Sequence, residues 1–153
     1  ARGLRTEVIE GPIDGDVREG ARGFCERLKE LAKQAPERGV CLIGGGETTE
    51  KLGSSSGKGG RNQEFALAPA FEIQGQERLT VLSCGTDGND GPTDAAGAVV
   101  DGGTIDRCRS LDLDPQRALE GHDAYPLFEA SGDLVKTGPT NSNVMDIMIG
   151  IVA

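Results

Sequence analysis

The chain has 153 residues, enough for one domain with a real hydrophobic core. A net charge of −9, with only four phenylalanines and one tyrosine, excludes the clustered cations and stacking platforms of a nucleic-acid surface. No run of about 18 apolar residues is present to cross a membrane as a helix, and the N-terminus carries no signal-peptide pattern. The 24 glycines are about twice the ordinary share of roughly 7% and bunch at 44–46, 53–60, 85–91 and 102–103. That clustering marks shaped loops between hydrophobic runs rather than a linker. Cys25, Cys41, Cys84 and Cys108 form no C-x-x-C pair, so they read as free, small hydrophobes in a cytoplasmic protein.

Residues 1–11 read as an edge strand, and the absence of an initiator Met suits a fragment or a processed product. Asp16 is placed to cap a helix over 16–35, with Glu19 completing a capping box. Val17, Ala21, Phe24, Cys25, Leu28, Leu31, Ala32 and Ala35 share one stripe, and Pro36 ends it. Val40–Ile43 is a buried strand closed by a Gly44-Gly45-Gly46 loop, with Glu47 at its mouth and a short strand from Thr48 to Leu52. A polar loop over 53–60 leads into a helix at 62–74, where Pro69 predicts a kink or a late start. Leu79–Cys84 is the most strand-like run, and it empties into GTDGNDGPTDAAGA at 85–98. Ala98–Val100 is a further strand. Thr104–Leu111, Asp114–Leu119 and Asp123–Ala130 are short helices, the second with an Asp cap and Pro115 in its first turn. Val144–Val152 closes the chain as a strand. The pattern is α/β, a three-layer domain with a mixed β-sheet flanked by helices at 16–35 and 62–74.

Familiar motifs fail. In Gly53 to Lys58 three residues separate the glycines and Gly59 follows the lysine, which is not a Walker A loop. No dinucleotide fingerprint is present. Counted from Asp87, Pro92 and Ala98 stand where an EF-hand needs Gly and Glu. The single histidine, His122, has no second His or Cys nearby and reads as structural. Four polar loops remain. Gly44 to Glu47 offers backbone N–H groups of the kind that hold anions. Lys58 and Arg61 at a helix start make either a phosphate site or a flexible surface loop. Asp87, Asp90 and Asp94 suit Mg²⁺ together with substrate phosphates, or simply shape a turn. Thr137 to Asn143 offers hydroxyls and amides, or a capped turn. Arginine, lysine, backbone donors and acidic Mg²⁺ ligands together are the parts of phosphoryl transfer. One histidine supports no Ser-His-Asp arrangement.

GGGETT at 44–49, GKGGRNQE at 57–64, GTDGNDGPTDAAGA at 85–98, Asp123 before Ala124-Tyr125, and TGPTNSNVMD at 137–146 resemble the MOFRL domain, in order and in register. That domain is the C-terminal part of class II glycerate kinases, some of which are called hydroxypyruvate reductases. The resemblance implies transfer of the ATP γ-phosphoryl to D-glycerate, with Mg²⁺, to give 2-phosphoglycerate. It implies a preceding Rossmann-like domain in the same polypeptide as partner, with the active site between the two. Residues 1–36 are then the connecting strand and helix, and 37–153 the MOFRL-like domain, inactive alone. It implies Arg61 as the phosphate or transition-state ligand, assisted by Lys58 and the Gly57–Gly60 backbone. Glu47 and Asn62 position substrate or water. Gly45, Gly46, Gly59, Gly60, Thr140 and Asn143 hold phosphate or glycerate, and Asp87 and Asp90 bind Mg²⁺. A hydroxypyruvate reductase component and a stand-alone binding module are the competing readings, and a homodimer is left open.

Overall fold

Along Asp146–Val152 buried and half-buried residues alternate, which is the signature of a strand with one face in the core. In the computed structural model, which describes residues 3–34, 39–50 and 57–153, this strand, β7, lies in the middle of a mixed sheet. Its neighbours are β3 (Val40–Thr49) and β4 (Leu79–Gly85), both antiparallel to it. The order across the sheet is β1 (Arg5–Val8), β3, β7, β4, β5 (Gly97–Asp101), β6 (Leu134–Val135). β2 (Ile13–Asp16) continues the edge that β1 begins, and both run parallel to β3.

The helices follow from their stripes. α1 (Val17–Gln34) buries Phe24, Leu28 and Leu31, each contributing about 1.5–3 kcal/mol of apolar burial. Asp16 Oδ1 accepts from the N–H groups of Arg18 and Glu19, at 3.0 and 3.3 Å, so the expected cap is present. α2 (Arg61–Glu72) packs beside α1, with Phe24 and Phe65 edge to face at 5.8 Å. α3 (Thr104–Ser110), α4 (Pro115–Glu120) and α5 (Ala124–Ser131) join the same core, α4 capped by Asp114 as expected. Ala35, Pro36 and Leu52, and residues 53–56 of the polar loop, lie outside the described residues.

The fold is thus the expected α/β type, a mixed sheet flanked by helices. Of the three layers expected, the described residues supply two, because the helices all sit on one face of the sheet. Leu42, Val81, Val100 and Gly150 point toward it, and a Cβ on Gly150 would lie 2.8 Å from Leu28 of α1.

Two local expectations are corrected. Gly44-Gly45-Gly46 is not a loop. β3 runs unbroken from Val40 to Thr49, and the glycines pair with Met148, Ile147 and Asp146 of β7. Glycine is needed there because β2 crosses so closely that a Cβ on Gly46 would sit 2.1 Å from the Ile13 carbonyl oxygen. Pro69 neither delays nor ends α2, which begins at Arg61 and carries on to Glu72. Gly46→Ala should therefore cost about 2–4 kcal/mol, since the obstructing atoms are backbone. Urea unfolding measures it, and a loss below about 0.5 kcal/mol would contradict the close approach.

Candidate active site

The N-terminus of α2 is where the polar loops meet. A helix start presents unpaired N–H groups and a partial positive charge, so it attracts an anion. Here the anion belongs to the protein. Gly60, the residue before α2, provides no side-chain cap. Asp90 reaches in from the acidic loop instead. Its Oδ1 accepts from Asn62 N and Nδ2 at 3.0 and 3.2 Å, and its Oδ2 from Gln63 N and Nε2 at 2.9 and 3.0 Å. Asp90 is 2% exposed. Burial pushes its carboxyl above the ordinary value, against the pull of these four donors. Gly60 must lack a side chain, because a Cβ there would lie 2.4 Å from Asp90 Cγ.

The expectation that Asp90 binds Mg²⁺ is accordingly revised. Both its oxygens are occupied and it is sealed from solvent. Asn62 is also engaged: it is 1% exposed and its Oδ1 accepts from Ser83 Oγ of β4 at 2.7 Å. Asp90, Asn62, Gln63 and Ser83 together clamp the start of α2 to the acidic loop and the sheet.

What the clamp positions is Arg61, the first residue of α2. Its Nε donates to Asp146 Oδ2 at 2.6 Å and its NH2 nitrogen to Asp146 Oδ1 at 3.1 Å, a two-pronged pair. The remaining NH1 nitrogen lies 3.0 Å from Glu47 Oε1. The Asp146 side chain is 1% exposed, whereas Arg61 is 36% and Glu47 54% exposed. The hydrogen bonds it donates to Asp146, more than the nearby charges, raise the guanidinium's pKa. Asp146 opens β7 beside Gly46 of β3 and Gly85 of β4. Asp87 is at the same end: a Cβ on Gly85 would lie 3.2 Å from Asp87 Oδ1 and 3.6 Å from Asp146 Oδ1. Asp87 is half-buried, and its Oδ1 also accepts from Asn89 N at 2.9 Å.

The loop at 137–145 is laced to this acidic loop. Thr140 N donates to Asp87 O at 3.1 Å, and Thr140 Oγ1 donates to the Thr86 carbonyl. Thr86 N and Oγ1 both donate to Met145 O, and Val144 N donates to Thr86 Oγ1. Asn143 Oδ1 accepts from Met145 N at 3.1 Å. Thr140, beside Asp87, and Asn143 are both exposed, but their side-chain oxygens also hold the loop in shape.

Lys58 is placed differently from Arg61. Its backbone N–H donates to Asp123 Oδ1 at 2.8 Å, and its ammonium sits 3.6 Å from the centroid of the Tyr125 ring. Tyr125 Oη in turn donates to Asp94, which also meets Lys136. The hydrogen bond from Tyr125, then that from Lys136, holds the Asp94 carboxyl below its usual range. A Cβ on Gly59 would lie 3.2 Å from the His122 carbonyl oxygen, a close but not impossible approach, whereas Gly60 is packed against Asp90. Gly45 and Gly46, expected to bind phosphate from a loop, are inside β3.

Behind α2, His122 Nδ1 lies 2.5 Å from Glu64 Oε2, and Arg18 Nε donates to Glu64 Oε1 at 2.6 Å. Glu50 joins them, the ligand atoms of Glu50, Glu64 and His122 lying within 4.8 Å of one another. Burial, then the hydrogen bond with Glu64, pushes the Glu50 carboxyl up to about 8. The Glu50 carboxyl is thus largely protonated at neutral pH. His122 is itself half-buried here.

Sequence reasoning did not single out Asp146, Gln63 or Ser83. The available signal was Asp146 itself, a carboxylate at a core-facing position of an otherwise apolar strand.

The MOFRL family model matches residues 40–146. The chain is 41% identical to a D-glycerate 2-kinase of Thermotoga maritima over 99% of its own length and 36% of that protein's. It is 37% identical to a glycerate 2-kinase of Pyrococcus horikoshii, over 98% and 34% of the two lengths. A putative hydroxypyruvate reductase of Agrobacterium vitis is 40% identical, over 95% and 34%. The crystal structure of a Thermotoga maritima glycerate kinase superposes with a TM-score of 0.92 at 41% identity, over 99% of this chain and 37% of that one. The chain belongs to the MOFRL family. It spans about a third of the length of the relatives it matches.

Asp90→Ala leaves the buried N–H groups of Asn62 and Gln63 without an acceptor and should cost about 3 kcal/mol in urea unfolding. Asp106→Ala, on the exposed face of α3, should cost under about 0.5 kcal/mol. Equal losses would contradict the clamp. For Glu50 the folded-state value lies above the ordinary 4.5, so the unfolded chain gives up this proton first. The stability it contributes is complete below about pH 4.5 and is lost as pH rises to about 8. Glu50→Gln should raise the melting temperature at pH 8.5 relative to the parent and leave it near parity at pH 4.5. A difference independent of pH would refute the raised Glu50 value.

Proposed function

We propose that this chain is the C-terminal domain of a glycerate kinase, acting on D-glycerate and ATP as part of a longer polypeptide. The observation that carries the reading is Arg61, held at the sheet end by a buried Asp146 and still half exposed. Phosphoryl transfer is catalysed mainly by positioning and charge neutralisation, and a cation fixed in advance loses little on meeting the transferring group. Asp146 fixes the direction of the guanidinium, and its NH1 edge can exchange Glu47 for a phosphoryl oxygen. The relatives named as glycerate 2-kinases support glycerate as acceptor and its 2-hydroxyl as nucleophile, giving 2-phosphoglycerate.

The residues present fit Mg²⁺. Asp87 and Glu47 are accessible hard oxygen donors at the same end of the sheet, and Mg²⁺ takes one or two carboxylates plus substrate phosphates. When bound, the ion neutralises phosphate charge. Asp90 acts through α2 as a positioning residue, and so does Asn62. Thr140 and Asn143, both exposed, are available to hold substrate. Lys58 in its cation–π contact with Tyr125 is a reserve of positive charge beside it. The rest of the polypeptide supplies the facing wall, so the isolated chain does not turn over substrate. Four free thiols accord with a reducing, cytoplasmic setting. Among the described residues no helix is long and apolar enough to cross a membrane.

In the full-length enzyme, Arg61→Ala should lower kcat about 10³-fold or more with ATP and D-glycerate. Asp146→Ala, which frees the guanidinium, should lower it about 10²-fold. Ordinary turnover by Arg61→Ala would refute the role. NADH oxidation with hydroxypyruvate, without phosphorylation of glycerate, would instead establish the reductase reading.

A further inference from the structure

The helices cover one face of the sheet, but the middle of the opposite face is also apolar. Ile43, Ile149, Leu82 and Val99 are directly opposite one another across β3, β7, β4 and β5 and form one row. Ile151 and Ile147 flank that row on β7. All six side chains are half-buried, and none belongs to the hydrophobic core beneath the helices. A strand with one face turned to water alternates polar with apolar along its length, whereas strands covered on both faces are apolar throughout. Apart from Asp146, β7 carries no polar side chain at all.

We infer that this face is a docking surface for the aliphatic side of a helical layer from the remainder of the same polypeptide. Two magnitudes decide the occupant. Four strands about 4.8 Å apart, over about five residues rising about 3.3 Å each, expose about 300 Å². A standard dimer interface takes about 800 Å² from each partner, well beyond this face. Interfaces between domains of one chain bury about 600–1,500 Å² in total, so about 300 Å² from one side is within their range. The relatives also carry enough further chain: these residues match only 36% of the Thermotoga maritima protein. The face is distinct from the wall of the active site. The Arg61 cluster occupies the end of the sheet at Gly46, Asp146 and Gly85, while the Ile43 row crosses its middle.

The inference rests on the reading that these residues work within a longer enzyme, and native thiols test it without measuring catalysis. Cys41 and Cys84 lie on this face, opposite Ile151 and Ile147, and both are half-buried; Cys25 and Cys108 are buried in the core. N-ethylmaleimide labelling, read by mass spectrometry, is compared between the 153-residue chain and the complete reading frame that contains it. In the short chain Cys41 and Cys84 should label well ahead of Cys25 and Cys108. In the complete protein both should slow at least tenfold, whether or not that protein phosphorylates glycerate. Equal labelling in the two, or a reading frame that adds no residues, overturns the inference. Protection of Cys84 alone also overturns it, since that thiol adjoins the site end and a facing wall there would suffice. Protection of both thiols in the short chain, with a dimer in sedimentation, would put a second copy on the face and overturn it as well.

Discussion

Everything polar at this site depends on one carboxylate. Asp90 enters the N-terminus of α2 and takes the four donors offered by Asn62 and Gln63. A helix start that would otherwise attract a solvent anion or a substrate phosphate is thereby neutralised from within. The acidic loop and the helix become one body, and the direction of Arg61 follows. Arg61 then needs only Asp146 to fix its plane, and Asp146 is supplied by the central strand. The two buried negative charges are divided in what they do. Asp90 builds the support, and Asp146 aims the cation.

Much of this was legible in the sequence, for identifiable reasons. α1 could be read because its stripe, its Asp16 cap and its apolar spacing agree. β4 and β7 could be read from their apolar runs, and the coincidence of five polar motifs pointed to the family. The roles within the motifs were harder. Three glycines after an apolar run look like a loop, but Gly44 to Gly46 are in-strand because β2 presses against them. That pressure comes from residues about 30 positions away and leaves no local trace. Likewise Asp90 and Asp87 have the same local setting, acid beside glycine. Only the tertiary approach of α2 makes one a sealed cap and leaves the other reachable.

The same limit explains Asn62 and Lys58. Each stands in a motif that reads as ligand-binding, and each is tied to a protein partner, Asn62 to Ser83 and Asp90, Lys58 to the Tyr125 ring. Next to Arg61, a polar residue can serve to hold the arginine's support rather than to touch a ligand. The apolar face behind the sheet is the opposite case. It is plain in the sequence as the isoleucines of β7, and its meaning appears only when the helices are found on the other side.

The position of β7 has a consequence for the order of assembly. It is the last strand of these residues and the central one, inserted between β3 and β4. Until it has left the ribosome, those two strands have no partner between them, and only the packing of α1 on α2 joins the two sides of the sheet. Such long-range pairing is slow and leaves strand edges open in the meantime. Arg61, in turn, has no Asp146 to hold it until that strand is in place. The guanidinium is therefore aimed in the same late step that closes the sheet, so a nascent chain cannot present a finished cation before it has a finished fold.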